Sequence, residues 1–260
     1  MSTFADLHRQ PLPLLLPNAW DVPSALAFVA AGYPAIGTTS LGVAASRGVP
    51  DGSRATREAN LALARDLVRL PVPVSVDCED GYADDPAEVA AYVSELATLG
   101  VAGVNLEDST AERLVEPESF AAKVAAVKDA APDLFLNARI DTYWLHQDES
   151  VEATLARATT YVDAGADGIF VPGATEPEVI RAIAAAVPVP LNVLPVPGLP
   201  PAGLAALGVR RVSTGSLPYR AALAAAVDAA AAVGEGTALP RSVSYAELQA
   251  GLTAYDGATR

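Results

Sequence analysis

Short apolar runs alternate along the chain with longer segments in which apolar residues recur at helical spacing, and the alternation repeats about eight times. The short runs read as β-strands: Leu14–Pro17, Ala35–Thr39, Val74–Asp77, Gly103–Glu107, Phe135–Arg139, Gly168–Val171, Leu191–Val193 and Arg211–Thr214. Several are apolar at consecutive positions, as strands are when both faces of the sheet are covered. The segments between them are rich in Ala and Leu and read as helices: Ser24–Ala31, Thr56–Val68, Pro86–Leu99, Ser119–Ala130, Val151–Ala164, Glu176–Ala186, a short Pro201–Leu207 and a long Tyr219–Val233. A further helical candidate, Ser244–Tyr255, lies beyond the eighth unit.

Four helical segments stop at a glycine just before a strand: Gly32, Gly100, Gly165 and Gly208. Glycine there supplies the left-handed conformation that ends a helix. Strands separated by helices build a parallel sheet under a helical cover. Eight units fit a (β/α)8 TIM barrel, whose usual size is about 250 residues. The predicted fold is therefore an α/β barrel domain over residues 1–260, with 240–260 as a C-terminal helical tail. An open doubly wound sheet is the alternative. It would need fewer units and a phosphate loop after the first strand, and no Gly-x-Gly-x-x-Gly follows Leu14–Pro17.

Composition narrows the function. With 51% hydrophobic and 18% charged residues, the 260-residue chain can fill a core, which excludes disorder for most of it. The 17 Lys and Arg against 31 Asp and Glu leave a net charge of −14, a field that disfavours nucleic acid and anionic membranes. The single cysteine, Cys78, rules out an internal disulfide and fits a reducing compartment. The start of the chain lacks a signal-peptide pattern. The most apolar late stretch, Ala221 to Val233, is interrupted by Asp228 and too short to span a bilayer. The expectation is a cytoplasmic protein that handles a small molecule.

In a barrel the chemistry sits at the C-terminal ends of the strands, and here those ends are polar. The first strand runs into Asn18-Ala19-Trp20-Asp21, and the second ends Thr38-Thr39-Ser40 ahead of a loop to Asp51. The third ends Asp77-Cys78-Glu79-Asp80, the fourth Asn105-Leu106-Glu107-Asp108 and the fifth Arg139-Ile140-Asp141. Asn192 sits in the seventh, and the eighth ends Ser213-Thr214-Gly215.

On an extended strand, Asp77 and Glu79 point to the same side. Glu107 comes from the next strand, about 5 Å away. Carboxylates converging there repel one another unless a cation is present, and hard oxygen donors suit Mg2+ or Mn2+. Arg139 could hold a substrate carboxylate through its planar fork. Cys78 alternates with its acidic neighbours and is expected in the core. His8 and His146 are expected at the surface. Ser213-Thr214-Gly215 reads equally as a phosphate cup or an ordinary turn.

Five segments, in order, resemble the isocitrate lyase/phosphoenolpyruvate mutase superfamily. They are Asn18-Ala-Trp-Asp21 with Ser24-Ala25, Gly37-Thr-Thr-Ser40 followed by Gly48-Val-Pro-Asp51, Val76-Asp-Cys-Glu-Asp-Gly-Tyr82, Gly103-Val-Asn-Leu-Glu-Asp108 and Asn137-Ala-Arg-Ile-Asp141. The resemblance implies Mg2+ held by Asp77, Glu79 and Glu107. It implies a substrate carboxylate bound at Thr39, Ser40 and Leu41, Arg139 in contact with substrate, and Asp51 near the reacting group. Trp20 and Asn192 join the expected substrate-binding set. It further implies exchange of the last helices between neighbouring barrels, giving dimers paired into tetramers.

Departures from the family pattern set the limits. The Lys-Arg-Cys-Gly-His loop of the lyases is replaced here by Ser109-Thr-Ala-Glu-Arg-Leu-Val-Glu116. Glu79 stands where many members have an aspartate. The leading expectation is a Mg2+-dependent lyase that cleaves a C–C bond of a small 2-oxo or 2-hydroxy dicarboxylate through a pyruvate-like enolate. The alternatives are phosphonopyruvate mutase or hydrolase chemistry with Asp51 as nucleophile, and a non-catalytic metabolite-binding barrel.

Overall fold

The computed structural model describes residues 3–257. Its centre is a parallel β-barrel. The first strand, β1, is broken at Pro17 into Leu14–Leu16 and Asn18–Ala19; proline has no N–H to give to the ladder. The remaining strands are β2 (Ile36–Thr38), β3 (Val74–Asp77), β4 (Gly103–Glu107), β5 (Phe135–Arg139), β6 (Gly168–Phe170), β7 (Leu191–Val193) and β8 (Val209–Ser213). Each pairs in parallel with the next in sequence. The first half of β1 pairs with β8 and its second half with β2, so the ring closes through Pro17. The predicted (β/α)8 barrel is the observed fold.

The helices are α1 (Phe4–Leu7), α2 (Val22–Ala30), α3 (Ser40–Ser46), α4 (Arg57–Leu67), α5 (Pro86–Leu99), α6 (Pro117–Ala130), α7 (Val151–Asp163), α8 (Pro177–Ala186), α9 (Pro201–Ala206), α10 (Leu217–Glu235) and α11 (Tyr245–Gly257). Asp21 caps α2 in a reciprocal pair with Ser24, and Pro86, Pro117 and Pro177 occupy first turns, where no N–H is needed. The glycines singled out in the sequence, Gly32, Gly100, Gly165 and Gly208, all have φ between 87° and 107°. Two features went unread in the sequence: α3 stands where a loop was expected, and Ser109–Thr110 pairs with Arg113–Leu114 in a small antiparallel hairpin.

The N-terminal end of the barrel is plugged. Phe4 and His8 of the α1 region pack on Phe135; the His8 imidazole stacks on that ring at 4.4 Å and 7°. Gly103 makes room for the plug, since a Cβ there would stand 2.8 Å from the Phe4 ring. His8 is 2% exposed, which overturns the expectation of a surface histidine; the aromatic slot gives its ring more contact than water would. His146 is exposed and Cys78 is buried, as expected.

At the other extreme, α10 and α11 leave apolar side chains in solvent: Leu223, Val227, Val233, Tyr245 and Leu248 are all exposed. The tail meets its own barrel at Tyr255, which donates to the Asp66 carbonyl at 2.7 Å and lies under the Arg69 guanidinium. Residues 258–260 of the expected tail lie outside the described residues. No helix among the described residues is long and apolar enough to cross a membrane.

Candidate active site

The mouth at the C-terminal ends of the strands opens into two adjoining cavities, of about 530 and 360 Å3. Asp51, Leu41, Arg139 and Trp144 line both. Glu79, Glu107 and Asp141 border the larger; Asp77, Thr39, Ser40 and Asn105 border the smaller.

Arg139 ends β5 and is clamped between two acids. Its Nε donates to Asp141 Oδ1 at 2.6 Å, and Nη1 lies 2.8 Å from Glu107 Oε2. Burial alone would pull the guanidinium down, but Asp141, Glu107 and Asp77 together raise it, so it stays charged. Asp141 is fixed in turn: Ser109 Oγ donates to its Oδ2 at 2.6 Å, and its backbone N–H donates to Asp108. Asp108 is fully buried and also accepts from Arg157 and the Tyr161 hydroxyl. Sequence reasoning left Asp141 and Asp108 out of the site. The signal was present in the Arg-x-Asp spacing that closes β5.

Asp51 comes from the loop after α3. Burial raises its proton affinity, and nearby Asp77 raises it further, while a hydrogen bond with the Ser40 side chain opposes the shift. Glu107 is pushed well up by burial, against the pull of Arg139, with Asp141, Asp77 and Asp51 adding to the rise. Glu79 is raised mainly by burial. The mouth therefore holds more carboxylate than its own cations neutralise.

Several expectations change at this level. Glu79 does not share a strand face with Asp77: β3 ends at Asp77 and Glu79 sits at φ +50° in the following turn. Its carboxylate accepts from Thr56 Oγ1 at 2.6 Å and from the Arg54 backbone N–H at 3.0 Å. It still borders the larger cavity. Among the described residues no three His, Cys, Asp or Glu side chains stand close enough together to hold a metal ion between them. The donor chemistry nonetheless fits a hard divalent cation. Mg2+ uses one or two carboxylates directly and keeps several waters, so acids spread around two adjoining cavities can reach it through water as well as directly.

Trp20 and Asn192 leave the expected substrate-binding set. The Trp20 indole packs edge-on against Tyr219 at 5.3 Å and borders an outer groove rather than the mouth. Asn192 is buried and spent on Ser213, donating to its Oγ at 3.0 Å and accepting from its N–H at 3.2 Å. The expected carboxylate cradle is also partly occupied. The Thr39 N–H donates to Ala19 O and the Ser40 N–H to Asp77 Oδ2. Leu41 remains at the wall of both cavities.

The loop after β4, where the lyase acid would stand, is the locked hairpin. Thr110 Oγ1 donates to Asp80 at 2.6 Å, and Gln147 bridges the Leu114 N–H and the Glu112 carbonyl. Asp80 is itself paired with Arg54.

A closed β/α barrel with an acidic mouth and a clamped arginine carries its polar side chains where TIM-barrel enzymes carry their active sites. A family profile described as phosphoenolpyruvate phosphomutase matches residues 4–234. An uncharacterised protein of Mycobacterium tuberculosis (strain ATCC 25618 / H37Rv) is 57% identical, over 99% of this chain and 98% of its own. A 2-methylisocitrate lyase of Halalkalibacterium halodurans is 32% identical over 72% of this chain, which spans 65% of that enzyme. A crystal structure of phosphonopyruvate hydrolase with oxalate and Mg2+ superposes with TM-score 0.83 and 26% identity, covering 100% of this chain and 99% of the other. The chain belongs to the phosphoenolpyruvate mutase family, within the isocitrate lyase/phosphoenolpyruvate mutase superfamily of lyases and mutases.

Proposed function

We propose that the protein is a Mg2+-dependent lyase that cleaves a C–C bond of a small 2-oxo or 2-hydroxy dicarboxylate, by retro-aldol cleavage or decarboxylation. The observation that carries this reading is Arg139, held rigid by Glu107 and Asp141 on the same cavity wall as Asp51 and Asp77. Of Asp77, Glu79 and Glu107, one or two would hold Mg2+ or Mn2+ directly and the rest through its waters; the ion when bound polarises the 2-oxygen of the substrate and stabilises a pyruvate-like enolate. The fork of Arg139 faces both cavities and orients a substrate carboxylate. Asp51, with its raised proton affinity and its hydrogen bond to Ser40, holds or accepts the proton at the reacting group. The absence of Cys, His and Lys from residues 109–116 leaves Asp51 as the acid–base group at the smaller cavity that this reading uses.

Phosphonate chemistry has less support. A phosphoryl group wants several N–H donors, and the Ser213-Thr214-Gly215 turn has spent its own. The Ser213 N–H goes to Asn192, and the Thr214 hydroxyl and Gly215 N–H both go to Asn18 Oδ1.

The apolar side chains left exposed on α10 and α11 support a homo-oligomer, dimers paired into tetramers, in which these helices exchange between barrels. The net charge of −14 supports a cytoplasmic location.

The test is a product assay on oxaloacetate, 2-methylisocitrate and phosphonopyruvate, with Mg2+ and with EDTA. Mg2+-dependent release of a 2-oxo acid from a C–C substrate is expected. Turnover of phosphonopyruvate alone transfers the assignment to P–C chemistry. Oxalate binding with no turnover of any of the three leaves a binding barrel.

A further inference from the structure

Two cations line the smaller cavity. Arg139 is one, already neutralised by Glu107 and Asp141. Arg220, on the first turn of α10, is the other. Its Nε donates to Ser216 Oγ at 3.2 Å, and it makes no ion pair among the described residues. Asp51 and Asp77 line the same cavity, yet neither reaches Arg220.

The apolar side chains of Leu41, Trp144, Phe170, Pro172 and Leu194 line it beside polar Thr39, Ser40, Asn105, Ser213 and Ser216. Trp144 is 52% exposed, a large ring left over the opening, and the Arg139 guanidinium lies 5.7 Å from its centroid. The first turn of α10 is held in place by Tyr219, whose ring packs on Trp20. Arg220 is thus carried on a fixed helix turn, and its guanidinium is the one unneutralised positive charge among the residues lining this cavity.

A cavity that carries the clamped Arg139 beside Asp77, a second and unneutralised guanidinium, and apolar side chains in its wall matches a ligand with two anionic groups joined by a hydrocarbon segment. The neighbouring N–H donors are already spent on Asn18 and Asn192, so the second group is one that a single guanidinium and a hydroxyl satisfy, which a carboxylate is. We infer that Arg220 is a specificity-determining residue that binds the distal carboxylate of the substrate, while the apolar collar takes its carbon chain. This rests on the lyase reading of the site, which it deepens by naming what selects the substrate.

Calorimetric binding in the presence of Mg2+ tests it, with ligands matched in length: malate against 2-hydroxybutanoate, and 2-oxoglutarate against 2-oxopentanoate. Each pair differs only in the distal carboxylate. Oxalate, which is too short to leave the metal site, serves as the reference. The wild-type protein should favour at least one dicarboxylate over its partner by roughly tenfold or more. Arg220→Gln should erase that preference, with oxalate affinity and melting temperature unchanged, and Arg220→Lys should restore part of it. Loss of oxalate affinity in step with the dicarboxylates, or no loss for either, overturns the subsite. A wild-type protein that binds a dicarboxylate through Arg220 but never oxalate with Mg2+ would keep the subsite and remove the lyase reading. A wild-type protein that binds none of these ligands overturns both.

Discussion

The two ends of this barrel solve opposite electrostatic problems. At the C-terminal mouth, buried charges are clamped: Arg139 has two acids, and Asp108 accepts from the Asp141 N–H, Arg157 and Tyr161. Below the mouth, towards the N-terminal floor, buried polar groups are left short. Arg211, midway along β8, is 1% exposed, and it donates to Ser213 Oγ and Asn105 Oδ1, while its Nη1 has no protein partner. His8 Nε2 and Ser75 Oγ lack partners as well. Burial pulls Arg211 down to about 9, and burial with the nearby Arg211 charge pulls His8 down to about 3. The mouth keeps surplus negative charge in a solvent-reached cavity, where a cation can enter. The floor keeps its histidine neutral behind an aromatic plug.

The contrast breaks most sharply at Asp77. Asp77→Ala should lower Mg2+-dependent turnover by about a thousandfold, because the mouth loses a proposed metal ligand. The melting temperature should hold, since Asp77 adds to the repulsion felt by Asp51 and Glu107. Full metal-dependent turnover in this variant would mean that the site is misassigned.

The floor is tested by acid. Unfolded His8 takes its proton below pH 6.5, whereas the folded residue waits until about 3. The unfolded chain therefore binds more protons in between. Stability from this residue is complete above pH 6.5 and drains away as the pH falls toward 3, by on the order of 3 kcal/mol by pH 4. Urea midpoints measured across that range should slope for the wild-type protein and flatten in His8→Phe. Parallel slopes would show that acids at the mouth, not His8, govern acid stability.

A smaller effect is expected at the arginine clamp. Arg139→Lys keeps the charge but loses the planar fork that meets Glu107 and Asp141 together, and should cost roughly tenfold in kcat/KM. Unchanged kinetics would reduce Arg139 to an ion-pair partner of the acids.

The smallest effect belongs to the tail. Light scattering should report a homo-oligomer, and deleting residues 240–260 should shift it toward smaller species and lower its melting temperature by a few degrees. A truncated protein of unchanged mass and stability would show that Tyr255, on Asp66 and Arg69, is a contact with its own barrel and nothing more.

Much of this molecule was legible in one dimension. Consecutive apolar positions, helical spacing and a glycine at four of the αβ turns point to eight βα units, because burial and backbone conformation act on neighbours in sequence. The same logic located Asp51, Asp77, Glu107 and Arg139 at strand ends or the loops beyond them, where a barrel exposes its chemistry. What the chain could not encode locally is which side chains meet once the ring closes. Closure brings Asn18 within hydrogen-bond reach of Thr214 and Gly215, and so takes the donors of an apparent phosphate cup. It turns Asn192 onto Ser213 and Trp20 onto Tyr219, away from the mouth. It sets Arg220, 81 positions from Arg139 in the numbering, on the same cavity. Glu79 shows the limit at its smallest scale: the strand that should have aligned it with Asp77 ends at Asp77 itself, two residues short, and Glu79 falls in a left-handed turn held by Thr56 and Arg54. Periodicity specifies which residues are buried, and only the closed barrel decides what each polar group finds there.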